Sequence, residues 1–205
     1  MITCGDGQEL TSDEFKVVSL DSNAHSVIVR LLNESYGIQA EITYSDAQKA
    51  PLLYKQIRFT NKGTKPFLLR TVELEHLKIN NEKVTYAVNA NFPEISDWGQ
   101  PVYTESLWFG VEFPATRSSV TSDGFIFLRH HPGTELGTGQ SYLTKKAVLG
   151  AAAAGKVKEF FMDYVATLPP HKQVPQMKLY WDGFRVIIPP DRLGQGLAMI
   201  EYAKK

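Results

Sequence analysis

Residues 105–133, ESLWFGVEFPATRSSVTSDGFIFLRHHPG, limit what this chain can become more than any other stretch. From Leu107 to Phe113 every odd position is apolar: Leu107, Phe109, Val111 and Phe113. The even positions Ser106, Trp108, Gly110 and Glu112 are mixed. Side chains alternate across a strand, so these two sets fall on opposite faces. One face buries. The other presents an aromatic plate, a bare patch of backbone and a carboxylate. Pro114 stops the strand because it has no N–H for a ladder. A second strand, 125–131, ends in Arg129-His130-His131. The pattern predicts a β-hairpin closed by a long loop.

The same punctuation runs along most of the chain. Short strands are expected at 15–20 and 26–32, parted by Asp21, Ser22 and Asn23. A turn at 33–37 precedes an alternating run through Ile38, Ala40, Ile42 and Tyr44. Residues 52–61 (LLYKQIRFTN) lead into Asn61-Lys62-Gly63, and Pro66 fixes the entry of a strand at Phe67. This reads as a second hairpin, since Asn and Gly tolerate positive φ. The strand 67–79 contains a bend or bulge. Residues 86–99 form a loop of a length that is often functional, and a turn at 132–139 leads to a strand 141–149. One amphipathic helix follows Gly155: Val157, Phe160, Phe161, Tyr164, Val165 and Leu168 make a single stripe, ended by Pro169-Pro170. The last segment reads as a strand at 178–188, a proline break, and a helix at 191–205 with Asp191 near its N-cap.

Composition removes several functions. With 22 basic and 22 acidic residues the formal charge is zero, so no nucleic-acid partner is expected. No apolar run is long enough to span a bilayer, and no membrane partner is expected. Cys4 is the single cysteine, which rules out an internal disulfide or a zinc cluster. The histidines lack a third ligand at convincing spacing, and no glycine-rich phosphate loop is present, so no metal or cofactor is expected. No signal peptide is visible at Met1, which leaves the cytoplasm and the periplasm both open.

Two segments resemble known families. IRFTNKGTKPFLLRTVEL, residues 57–74, resembles a hairpin of galactose-mutarotase-like β-supersandwich domains, where a strand ends in Thr-Asn-x-Gly and the next begins after Pro. Leu179-Tyr180-Trp181-Asp182-Gly183-Phe184, followed by Pro189-Pro190 and Gly196-Leu197, looks like the first barrel strand and helix of the α-galactosidase and raffinose-synthase clan. In that clan a Trp-Asp pair ends the first barrel strand and the Asp binds substrate hydroxyls; the resemblance places these roles on Trp181 and Asp182. SLWFGVEFPA and KVKEFFMDYVATLPP look like the sandwich end and connecting helix of related glycoside hydrolases. The resemblance covers roughly residues 50–205 and departs from the family in one respect. The barrel beyond its first strand-helix unit has no counterpart, and the family's nucleophile and acid/base carboxylates belong to that missing part.

The resemblance implies a mainly β, two-sheet supersandwich over 1–170, including a connecting helix, then a barrel-like strand-helix fragment over 171–205. It implies a non-catalytic accessory domain of a glycoside hydrolase, packed against a catalytic barrel and helping to form the sugar site. Expected partners are a carbohydrate and either that barrel or a second copy of the chain. A stand-alone aldose mutarotase or epimerase and a carbohydrate-binding module are the alternatives. Substrate-binding candidates are Trp98 (a loop aromatic suited to sugar stacking), Trp108, Glu112, His130, Trp181 and Asp182. No residue is assigned a catalytic role. Glu105 and Glu112 lie an odd number apart on one strand, so they face opposite ways at roughly 23 Å and cannot be a glycosidase pair. His130 or His131 with Glu112 is the set a mutarotase would need. Each has a plainer reading: Trp108 as a core or interface aromatic, Glu112 paired with Arg117 or Arg129, the histidines hydrogen-bonded at a strand end, Asp182 capping an Asp-Gly turn.

Overall fold

Alternating segments become strands, and the computed structural model arranges them as two sheets face to face. It describes residues 1–79, 83–86 and 99–169, with Thr85 and Tyr86 described by backbone alone. In chain order these are β1 (Ile2–Cys4), β2 (Glu9–Leu10), one 3-10 turn (Ser12–Glu14), β3 (Lys16–Ser22), β4 (Ser26–Asn33), β5 (Ile38–Asp46), β6 (Leu52–Asn61) and β7 (Phe67–Lys78). There follow β8 (Thr85–Tyr86), β9 (Val102–Tyr103), β10 (Leu107–Val111), β11 (Thr116–Val120), β12 (Phe125–His130), β13 (Thr134–Leu136), β14 (Ser141–Leu143), β15 (Ala147–Ala151) and α1 (Val157–Thr167). One six-stranded sheet runs β11-β12-β7-β1-β2, with β13 also on β7. A nine-stranded sheet runs β3-β4-β5-β6-β15-β10-β9-β8, with β14 also on β6.

The core lies between the sheets. Ile38, Ala40, Ile57, Phe59, Phe109 and Ala147 from the larger sheet meet Ile2, Leu69, Val72, Leu74, Ile126 and Leu128 from the smaller. Each fully buried Leu, Ile or Phe stabilises the fold by about 1.5–3 kcal/mol. Polar bridges between the sheets add register. Lys55 of β6 meets Glu75 of β7 at 3.1 Å, and burial pushes the Glu75 carboxyl above its usual range against the pull of Lys55. The expected irregularity in β7 is present. Leu128 and Arg129 pair with Glu75 and Glu73, so Leu74 is an extra residue. A bulge of this kind turns the strand without ending its pairing.

Both expected hairpins are corrected. β6 and β7 belong to different sheets, so the segment from Asn61 to Pro66 is a crossover. Asn61 is fully buried and holds it. Its Nδ2 donates to the carbonyls of Lys65 (2.7 Å) and Leu136 (2.8 Å), and its Oδ1 accepts from the Gly63 N–H (2.9 Å). The stretch 105–133 likewise spans both sheets: β10 pairs with β15 and β9, while β12 pairs with β7. The actual hairpin is β11–β12, and β11 has no hydrophobic alternation to announce it. Its buried residues are Thr116 and Ser118, whose hydroxyls donate to the carbonyls of Phe113 (2.8 Å) and Gln100. The predicted strand 141–149 is two strands, β14 and β15. Between them the Thr144 hydroxyl accepts the Ile57 N–H at 2.9 Å.

α1 begins after Gly155, whose φ is +79°, and Thr167 closes it by donating to the Tyr164 carbonyl at 2.6 Å. Val157 and Tyr164 are buried, whereas Val165 of the predicted stripe is exposed. The predicted strand 178–188 and helix 191–205 lie outside the described residues.

Candidate functional site

The even face of β10 is where a carbohydrate-facing surface was expected, and α1 lies over it. Trp108 pairs across the ladder with Gly150 of β15, and its indole lies flat against that glycine. A Cβ at Gly150 would sit 2.0 Å from Trp108 Nε1. From α1, Phe161 meets the indole edge-on (centroids 5.0 Å, 72°) and Tyr164 lies tilted against it (5.0 Å, 41°). Tyr103 of β9 packs edge-on against Phe161. Trp108 is therefore 1% exposed, with no ring face open to a sugar. Its Nε1–H has no acceptor among the described residues.

Glu112 closes one end of this aromatic layer. It accepts a hydrogen bond from the Tyr164 hydroxyl, and Lys146 Nζ lies 3.3 Å away. Lys146 also sits over the Tyr54 ring at 4.7 Å. Burial first, and the Glu112 carboxylate second, push the Tyr164 hydroxyl far above its usual value. The carboxylate that sequence pairs with an arginine thus uses a lysine and a tyrosine. Arg129 instead grips Glu73, with Nε at 2.9 Å and Nη2 at 2.8 Å.

His130 belongs to the smaller sheet and faces the space between the two. It ends the inward row of Ile126, Leu128 and His130 on β12. Its Nε2 meets the Tyr142 hydroxyl of β14 at 2.6 Å, while Phe113 packs edge-on against the ring at 5.5 Å. Burial, then the charges of Lys145 and His131, hold its imidazole below the ordinary histidine value. His130 lies between the sheets and Glu112 on the outer face of the larger one. The structure does not bring this pair together, so the set a mutarotase would need is not assembled here. His131 bonds Thr71 at 3.1 Å. Trp98, Trp181 and Asp182 lie outside the described residues.

Sequence reasoning missed a cleft of about 750 Å³ at the loop end of the sandwich. Asp6, Glu34, Tyr36, Lys65 and Glu135 are among its lining residues. The turn at 33–37 and the crossover at 61–66 build it, with their backbones in contact. A Cβ at Gly37, where φ is +63°, would lie 2.6 Å from Gly63 Cα. The turn residues were legible, but their meeting was not. The cleft offers hydrogen-bond donors and acceptors in these side chains. Cys4 also lines it, but burial pushes its thiol up to about 11, which leaves it a poor nucleophile. Among the described residues no group of three His, Cys, Asp or Glu side chains is arranged to hold a metal.

No family model and no curated protein matches the sequence. Solved structures do match. The GH36 α-galactosidase AgaB from Geobacillus stearothermophilus is 11% identical, with a TM-score of 0.50, covering 75% of this chain and 30% of that one. A variant of AgaA from the same organism, in complex with 1-deoxygalactonojirimycin, is 12% identical with the same TM-score and the same coverage. A putative aldose 1-epimerase from Escherichia coli K12 is 12% identical with a TM-score of 0.43, covering 68% of each chain. At these identities the likeness is one of fold, and this chain spans about 30% of the length of the α-galactosidases it matches.

Proposed function

We propose that this chain acts as a non-catalytic, N-terminal accessory domain of a glycoside hydrolase, packing against a catalytic barrel and helping to wall the sugar site. The observation that carries this reading is the fold match to a 30% portion of the α-galactosidase chains. Chemistry supports it. Hydrolysis needs two carboxyl groups flanking the scissile bond, about 5–5.5 Å apart for retention or about 6.5–9.5 Å for inversion. Glu73, Glu75 and Glu112 are each held by a cation from the fold itself, Arg129, Lys55 and Lys146 respectively. In this reading Trp108 and Glu112 hold α1 on the sheet and do not touch sugar. Trp98, Trp181 and Asp182 are the proposed sugar contacts, and the loop-end cleft is a further surface for hydroxyl groups.

Nitrophenolate release from 4-nitrophenyl α- and β-galactosides tests the non-catalytic part, and we expect none. Turnover that a single carboxylate substitution abolishes would overturn it. Galactose titrated against the isotope-labelled chain should shift a localised set of amide resonances. Unchanged spectra at the highest soluble sugar concentration would remove the sugar-walling role.

A further inference from the structure

β3 is the outermost strand on its side of the nine-stranded sheet, so among the described residues one of its edges carries no partner strand. Edges of this kind are templates for pairing with another chain. The side chains here are unusual for an edge. Val17, Val18 and Leu20 are 67%, 60% and 63% exposed. The pairing register explains how they are arranged. Val17 lies opposite Leu31 and Ser19 opposite Arg30, so Val18 is the extra residue of a bulge. With Val18 set aside, Val17 and Leu20 share the inner face with Leu31 and Val29, which continue into Ala40 and Ile42. The core-facing apolar surface of the larger sheet therefore extends out to β3 beyond the cover of the smaller one. Lys16, Ser19 and Asp21 share the outer face, where Arg30 bonds Asp21 and Ser19 on one side and Glu41 on the other.

We propose that β3 pairs antiparallel with β3 of a second copy of this chain, joining the two larger sheets across a two-fold axis. Such an axis requires a self-complementary strand, and the register supplies one. With Ser19 facing its own copy on the axis, Leu20 stands opposite Val17 of the second copy and Asp21 opposite its Lys16. The apolar pair lies on the inner face and the charged pair on the outer face. A bulge and a lysine are features that usually keep edges apart. Here the bulge puts Val17 and Leu20 on one face. Lys16, which meets Glu34 of its own chain at 2.9 Å, comes to face an Asp21 that Arg30 already holds, so the apolar pair carries the contact and the charged pair sets its register.

Sedimentation of the purified chain tests it, with Leu20→Lys and Ser19→Cys as variants. The parent chain should dimerise, and Leu20→Lys should weaken the dimer by about tenfold or more, because two exposed apolar contacts are replaced by charge. An unchanged melting curve for that variant shows that folding is intact. Residues facing each other across an antiparallel pair lie about 4.5–5.5 Å apart at Cα, within disulfide reach. Ser19→Cys should therefore form a covalent dimer under mild oxidation, with buried Cys4 not competing. Leu20→Cys, which would face Val17, should not. A chain that stays monomeric, a dimer that Leu20→Lys leaves intact, or a dimer whose Ser19→Cys form does not cross-link overturns the proposal.

Discussion

β10 and β3 lie toward opposite ends of one sheet, and both place apolar residues on its inner face. Their surroundings differ. β10 has Phe109 under the smaller sheet and Trp108 under α1, each 1% exposed. β3 has Leu20 on the corresponding inner face with little above it. A period of two tells which side chains share a face, but not whether anything covers that face. The mixed even face of β10 reads as an open platform in sequence and is closed in the structure. β3 reads in sequence only as a short strand, and its apolar Val17, Val18 and Leu20 are left exposed among the described residues.

Truncating the covered aromatic should have the largest effect. Trp108→Ala should cost about 3–5 kcal/mol in denaturant unfolding, the usual range for a buried aromatic. A cost below that of an ordinary surface change would mean that α1 does not seal β10. Next comes the glycine beneath the ring. Gly150→Ala puts a methyl group where the indole lies, and overpacking of this kind should cost about 1–3 kcal/mol. Loss of the near-ultraviolet circular dichroism of Trp108 should accompany it, and an unchanged spectrum would show that the ring does not rest on Gly150.

Cover also leaves an electrostatic mark. His130 has a folded pKa below its ordinary value of 6.5, chiefly through burial. A base lowered in this way contributes stability above the ordinary value and loses it as pH falls through the lowered one. The chain should therefore weaken on going from about pH 7.5 to about pH 5, and His130→Gln should reduce that loss. His131, also lowered by burial and then by Arg117 and Arg129, should keep part of it. Equal losses in both proteins would show that His130 does not carry this dependence. The smallest effect belongs to the open end. Leu20→Ala should change the stability of the monomer by no more than about 0.5 kcal/mol, as for other exposed side chains. A cost near that of Trp108→Ala would mean that β3 is covered after all.

Much of the local structure was legible in the sequence. β6 spans Leu52–Asn61, the expected strand running into the Asn-Lys-Gly turn, β7 starts at Phe67 after Pro66, and α1 lies between Gly155 and Pro169. Each follows from chemistry acting over a few residues: pleat alternation, positive φ at glycine, the absent N–H of proline. β11 was not legible because its inward residues are Thr116 and Ser118, which mimic a polar loop until the carbonyls of Phe113 and Gln100 are placed beside them. The candidate site was less legible than the fold. Glu112, Lys146 and Tyr164 come from β10's end, the segment before β15 and α1, and no spacing rule joins them.

Local sequence pattern is enough to say which side chains share a face, where most strands and the helix begin and end, and that the chain is mainly β. Tertiary structure alone decided which strands pair. It sent β6 and β7, and likewise β10 and β12, to different sheets, laid α1 over Trp108, and set His130 and Glu112 on opposite sides of the larger sheet. The physical reason is range. Alternation and turn chemistry are fixed by neighbours in the chain. Sheet membership depends on backbone hydrogen bonds and buried area between segments tens of residues apart, and a local pattern fits equally well on either sheet.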